Sequence, residues 1–76
     1  MKKETTTLTF QEGVSNKFYT ISVEKTGSTF DVPFTFGRIG TAGQNGFKVQ
    51  GASYEEAKKA YDKTINEKTK KGYQVS

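Results

Sequence analysis

The sequence has no cysteine, no histidine and no tryptophan, and only one proline. Without cysteine there are no disulfides and no thiolate metal sites. Without histidine the usual zinc sites, imidazole general bases and Ser-His-Asp triads are excluded as well. No apolar run reaches the length of a signal-peptide core or a membrane span. A cytoplasmic location is therefore expected, with no membrane partner; absence of cysteine agrees with a reducing compartment. Branched aliphatic residues are also scarce. Leu, Ile, Val and Phe together make up fifteen of 76 residues, close to the level below which chains tend to disorder.

Ten aromatic side chains, six Phe and four Tyr, oppose that tendency, because each can bury a large apolar area. A thin core built on aromatics is the expectation. At 76 residues and 8.4 kDa, with no linker-like stretch, the chain reads as a single domain over 1–76, near the lower limit for folding without staples. The net charge is +4. Eleven of the twelve cations are Lys and one is Arg, Arg38. Such an excess is compatible with nucleic acid or an acidic partner, although many small domains carry as much.

Residues 1–6 are polar and are expected to be mobile. Leu8 and Phe10 alternate with Thr7, Thr9 and Gln11, which suggests a first short strand, and residues 12–16 read as a turn. From Lys17 to Glu24 alternation is clean, with Tyr19, Ile21 and Val23 on the core side. Phe30, Val32, Phe34 and Phe36 share one face of a strand over 29–39. Pro33 lies inside it and has no amide hydrogen to donate, which predicts an edge strand or a bulge. Glycines 37, 40, 43 and 46 read as a tight connection into a short strand over 47–50.

Ser53-Tyr54-Glu55-Glu56 has the form of a capping box and opens the single helix. Tyr54, Ala57, Tyr61 and Ile65, with Ala60 alongside, form its core stripe. Gly72 stops it behind Lys70 and Lys71, where cations suit the helix dipole. Tyr73 and Val75 suit a last strand or a clasp on the helix end. The fold class is α+β: a twisted antiparallel sheet of four to five strands with one C-terminal helix on one face.

Catalytic patterns are missing. Gly37, Gly40 and Gly43 follow a strand but no helix follows directly, so a dinucleotide loop would lack its anion site. No Gly-Lys-Ser/Thr sequence is present. The paired carboxylates Glu55 and Glu56 are explained by capping. No enzyme activity, metal, cofactor or small-molecule substrate is expected. Arg38 is the informative cation. It leaves a strand between two glycines, and its planar fork suits phosphate or carboxylate in a way that Lys cannot match. Pairing with Asp31 or a glutamate is the competing explanation. Phe36, two residues earlier, shares its strand face. The pair can stack on a sugar or base and grip the adjacent phosphate; alternatively Phe36 simply extends the core. The helix lysines 58, 59, 63 and 68 alternate with acids and read as a solvated face.

The run Phe36-Gly37-Arg38-Ile39-Gly40-Thr41-Ala42-Gly43-Gln44 resembles the WGR domain. Ser15-Asn16-Lys17-Phe18-Tyr19 is similar to the start of that family's second strand, Ser53-Tyr54-Glu55-Glu56-Ala57 to its helix start, and Glu67 through Tyr73 to its C-terminal signature. The likeness covers about residues 7 to 75. It is nearest to short bacterial members, including those attached to molybdate-regulator-like proteins, and more distant from those of poly(ADP-ribose) polymerases. The first motif letter is Phe rather than Trp, which keeps an aromatic face and drops the indole donor.

The resemblance implies a twisted antiparallel sheet with one helix and a non-catalytic nucleic-acid-binding module, for double-stranded DNA or its ends. The aromatic would pack on a sugar and the Arg would contact DNA or a neighbouring domain. By position these roles fall to Phe36 and Arg38, with Gly37 opening the backbone and Asn16 nearby; Lys48 completes the set of nucleic-acid-binding candidates. The alternative is a protein-interaction module docking through the same surface. A monomer is expected.

Overall fold

The computed structural model describes residues 4–75. The strands are β1 (Glu4–Glu12), β2 (Ser15–Thr26), β3 (Thr29–Asp31), β4 (Pro33–Arg38), β5 (Gln44–Phe47) and β6 (Gln74–Val75), with one helix, α1 (Tyr54–Lys70), between β5 and β6. The sheet order is β5-β4-β2-β1-β6, with β3 beside β2, and every pairing is antiparallel. No helix among the described residues is long and apolar enough to cross a membrane.

Alternation along the strands divides the sheet into two faces. Tyr19, Ile21 and Val23 of β2 lie on the helix side, as the sequence predicts, and are buried with Leu8 of β1, Val32 between β3 and β4, and Ala57 and Tyr61 from α1. The β1–β2 hairpin closes with the two residues Gly13 and Val14, between Glu12 and Ser15. Gly13 has φ +60, which fits the first central position of a hairpin turn whose twist matches the strands.

The N-terminal strand begins earlier than expected. Glu4, Thr5 and Thr6 are paired with Val23, Ser22 and Ile21, which replaces mobility with strand structure for that half of the 1–6 segment; residues 1–3 lie outside the described residues. Side chains secure this end to the helix. The Glu4 carboxylate accepts from the Tyr54 hydroxyl and, at 2.6 Å, from the Lys58 ammonium, and the Thr6 and Tyr61 hydroxyls hydrogen-bond.

Six strands replace the expected four to five because Pro33 divides one expected strand in two. The register against β2 is the same on both sides of the break, Glu24↔Asp31 and Ile21↔Phe34. At the break Val32 turns its backbone to the other side: its N–H donates to the Val49 carbonyl at 3.0 Å and its carbonyl accepts from the Lys48 N–H at 2.8 Å. Pro33 is thus neither in an edge strand, since β4 lies between β5 and β2, nor an inserted extra residue. It is the point where a missing donor interrupts the ladder. β5 also comes earlier than the predicted 47–50. Gly46 stands opposite Phe34, and a Cβ there would lie 2.6 Å from the Phe34 ring, so the ring lies across the strand where a side chain would otherwise stand.

The capping box is present, with Ser53 accepting from the Glu56 N–H and the Glu56 side chain reaching back. Ala57 and Tyr61 are buried, but Tyr54 is exposed and meets Phe30 edge-on at 5.2 Å. Thr64, absent from the predicted stripe, is buried. Its hydroxyl donates to the Ala60 carbonyl at 2.9 Å, so the polar atom is satisfied inside the helix's own turn.

Candidate nucleic-acid interface

The exit of β4 builds the site. Phe34, Phe36 and Arg38 alternate onto the helix-side face, and β2 sets Tyr19 opposite Phe36 and Lys17 opposite Arg38. Tyr19 stacks with Phe34 at 5.6 Å and with Phe36 at 6.1 Å between ring centres. Phe36 therefore continues the core at its end, yet it keeps 39% of its surface exposed. Phe36 thus packs against Tyr19 and Phe34 and is open to solvent on its remaining surface.

That open side borders a cleft of about 440 Å³ between the end of the sheet and the last turns of α1. Lys17, Arg38 and Lys68 supply its cations, Phe36 and Tyr73 its rings, and Phe18 and Gly37 complete the wall; none of the bordering residues is acidic. Arg38 has no carboxylate partner among the described residues. The competing explanation, pairing with Asp31, does not occur. The Asp31 carboxylate accepts from the Thr26 hydroxyl at 3.2 Å and the Gly51 N–H at 2.9 Å. The guanidinium fork is therefore without a carboxylate partner among the described residues, while the Arg38 carbonyl is used in the turn that follows, accepting from the Thr41 hydroxyl and N–H.

Gly37 has a structural reason within the fold. A Cβ there would meet the Gly43 Cα at 2.8 Å, and Gly43 itself, at φ +76, would bring a Cβ to 2.5 Å from the Phe36 carbonyl oxygen. The loop after β4 folds back onto the strand with only these two glycines between the backbones. Asn16 joins the motif through its main chain, its carbonyl accepting from the Ile39 N–H at 3.0 Å, and it does not border the cleft. Lys48 stands outside the cleft too, its ammonium 5.1 Å from the centre of the Phe34 ring.

Four cleft residues escape a reading of the sequence: Lys17, Phe18, Lys68 and Tyr73. Lys17 could have been found, since it is two residues from Tyr19 on the same face. Lys68 and Tyr73 could not, because only packing of α1 brings them over the sheet. The Lys68 ammonium lies 4.6 Å from the Tyr19 ring centre and 5.6 Å from that of Tyr73. Burial pushes the Lys68 pKa down, and the nearby charges of Lys71 and Lys48 add to this. Burial pushes the Tyr19 phenol up to about 12, with the Glu67 carboxylate contributing. The Tyr19 hydroxyl is buried and has no hydrogen-bond partner among the described residues.

Comparison with known proteins finds a matching family and a similar solved structure. The chain fits the family profile described as WGR domain over residues 4–76. The crystal structure of a Bacteroides fragilis protein, solved as a structural-genomics target, superposes with a TM-score of 0.75 at 40% identity, over 96% of this chain and 19% of that one. The chain thus spans about a fifth of the length of that relative. No curated protein matches it.

Proposed function

Because the chain belongs to the WGR domain family, we propose that it is a non-catalytic nucleic-acid-binding module that engages double-stranded DNA, or duplex ends, through the cleft at the exit of β4. Phe36 offers an aromatic face to a sugar or base, and Arg38 a two-pronged contact to a phosphate. One observation carries the reading: a half-open aromatic ring stands in a cleft with three cations and no carboxylate. Lys68 joins the candidates Phe36 and Arg38, and Lys17 supplies charge beside Arg38. Gly37 and Asn16 hold the loop that shapes the wall.

The test is a chemical-shift titration with a short duplex at two salt concentrations. Residues 17, 36–38, 68 and 73 should shift together, and affinity should fall with salt, with a log–log slope of about −0.9 for each phosphate contact. About two to four contacts are expected from the cations gathered there. A linear duplex should compete better than a closed circle if Phe36 caps an end. The second reading, docking on a protein domain through the same surface, draws on the much greater length of the B. fragilis relative. Salt-independent affinity for duplex, or none, would favour it.

A further inference from the structure

Five cation–ring contacts occur among the described residues, and they fall into different electrostatic settings. Lys58 lies 4.9 Å from the Tyr61 ring centre, but two carboxylates neutralise it, Glu4 at 2.6 Å and Asp62 at 3.7 Å. Lys48 and Lys68 sit on adjacent rings, Phe34 at 5.1 Å and Tyr19 at 4.6 Å, and those rings are stacked with only 9° between their planes. Neither ammonium has an ion-pair partner among the described residues. Besides burial, the Lys71 charge and then that of Lys48 act against the Lys68 ammonium, and the Glu67 carboxylate offsets part of this.

Like charges held over a stacked aromatic floor raise the energy of the unliganded state, and a bound anion lowers it. Structural lysines that only cover apolar rings have no need of that arrangement, as Lys58 shows. The floor continues directly into the cleft, since Tyr19 stacks on Phe36 as well.

Building on the nucleic-acid reading above, we propose that Lys48, outside the Arg38 cleft, and Lys68, at the cleft's edge, seated over the stacked rings of Phe34 and Tyr19, form a second phosphate seat that adjoins the cleft through Lys68, so that the bound ligand is a strand carrying at least two successive phosphates. Arg38 and Lys17 take one phosphate at the exit of β4. The backbone then passes Phe36 and crosses the aromatic floor to Lys48. The path runs along the flank of the helix's C-terminal half. It leaves Lys59 and Lys63 outside.

The experiment measures duplex affinity by fluorescence anisotropy across a salt series, with the melting temperature of every variant. Lys48→Gln and Lys68→Gln should each reduce the salt slope by about 0.9 and weaken binding about eightfold near 0.1 M salt, whereas Lys59→Gln and Lys63→Gln should leave the slope unchanged. Lys68→Arg, which keeps charge and ring contact, should restore binding and controls for packing lost in Lys68→Gln. A dinucleotide with two phosphates should weaken with Lys48→Gln and a nucleoside monophosphate should not. An unchanged slope in Lys48→Gln and Lys68→Gln, while Phe36→Ala still weakens binding, would discard the seat and leave the cleft standing. Equal slope losses in Lys59→Gln would show that only overall charge counts, and would also overturn it. If the wild-type chain binds no duplex at any salt concentration, the nucleic-acid reading itself falls, and the seat with it.

Discussion

Replacing Phe36 separates its packing in the core from the stacking role proposed for it. Truncating a fully buried Phe to Ala costs about 3–5 kcal/mol. Phe36 keeps 39% of its surface exposed and packs on Tyr19 and Phe34 from one side, so about half of that, roughly 2 kcal/mol, is the expected loss for Phe36→Ala. In a domain of this size 2 kcal/mol lowers Tm by about 8–16 °C. The open side should contribute about 1–3 kcal/mol to binding, as aromatic stacking on bases does. Phe36→Leu divides the two effects. It refills most of the apolar contact, so Tm should recover to within a few degrees, but it has no ring face, so affinity should stay low. Phe36→Trp should hold or improve affinity. The assay is a thermal melt and a duplex titration on the same three variants. Wild-type affinity in Phe36→Leu would refute the stacking argument, and a Tm loss in Phe36→Ala as large as for a buried Phe, with binding intact, would make the residue core alone.

Arg38→Lys should weaken duplex binding at unchanged net charge, because a point charge cannot reproduce the planar fork; equal affinity by titration would remove Arg38 from the site. Gly37→Ala should cost about 1–3 kcal/mol of stability, since its Cβ meets backbone rather than a yielding side chain; a wild-type melt with lost binding would show that the glycine serves the ligand instead. Tyr19→Phe should leave stability equal or raised at neutral pH, because it deletes a buried hydroxyl without a partner among the described residues. The Tyr19 phenol is raised from 10.0 to about 12, so its neutral form is favoured in the folded state. That contribution is complete below pH 10 and is lost as pH rises towards 12. Alkaline melts should therefore show a steeper loss for the wild type than for Tyr19→Phe, and parallel curves would contradict the assignment.

Local signals carried much of the fold. Alternation over residues 17–24 placed Tyr19, Ile21 and Val23 on the core face, and the Ser53-to-Glu56 capping box placed the start of the helix, because strand period and cap chemistry act within a few residues. The motif was legible too, since Phe36 and Arg38 share a face by spacing alone. What Pro33 does was not legible. A missing donor is visible in the sequence, but whether it faces solvent, as in an edge strand, or a partner, as here, depends on which strand lies beside it. Thr64 was missed because its hydroxyl makes it polar by type while the Ala60 carbonyl makes it acceptable inside.

The amino-acid order by itself determined which residues alternate, where the helix starts and stops, and that no thiol or imidazole chemistry exists in this chain. Tertiary structure alone decided that Arg38 is free of Asp31, that Phe36 is half open, and that Lys68 arrives from the helix over Tyr19. The physical reason is range. Dihedral preference and hydrogen-bond capping act between near neighbours, whereas exposure, ion pairing and the juxtaposition of like charges are set by which surfaces pack across dozens of intervening residues.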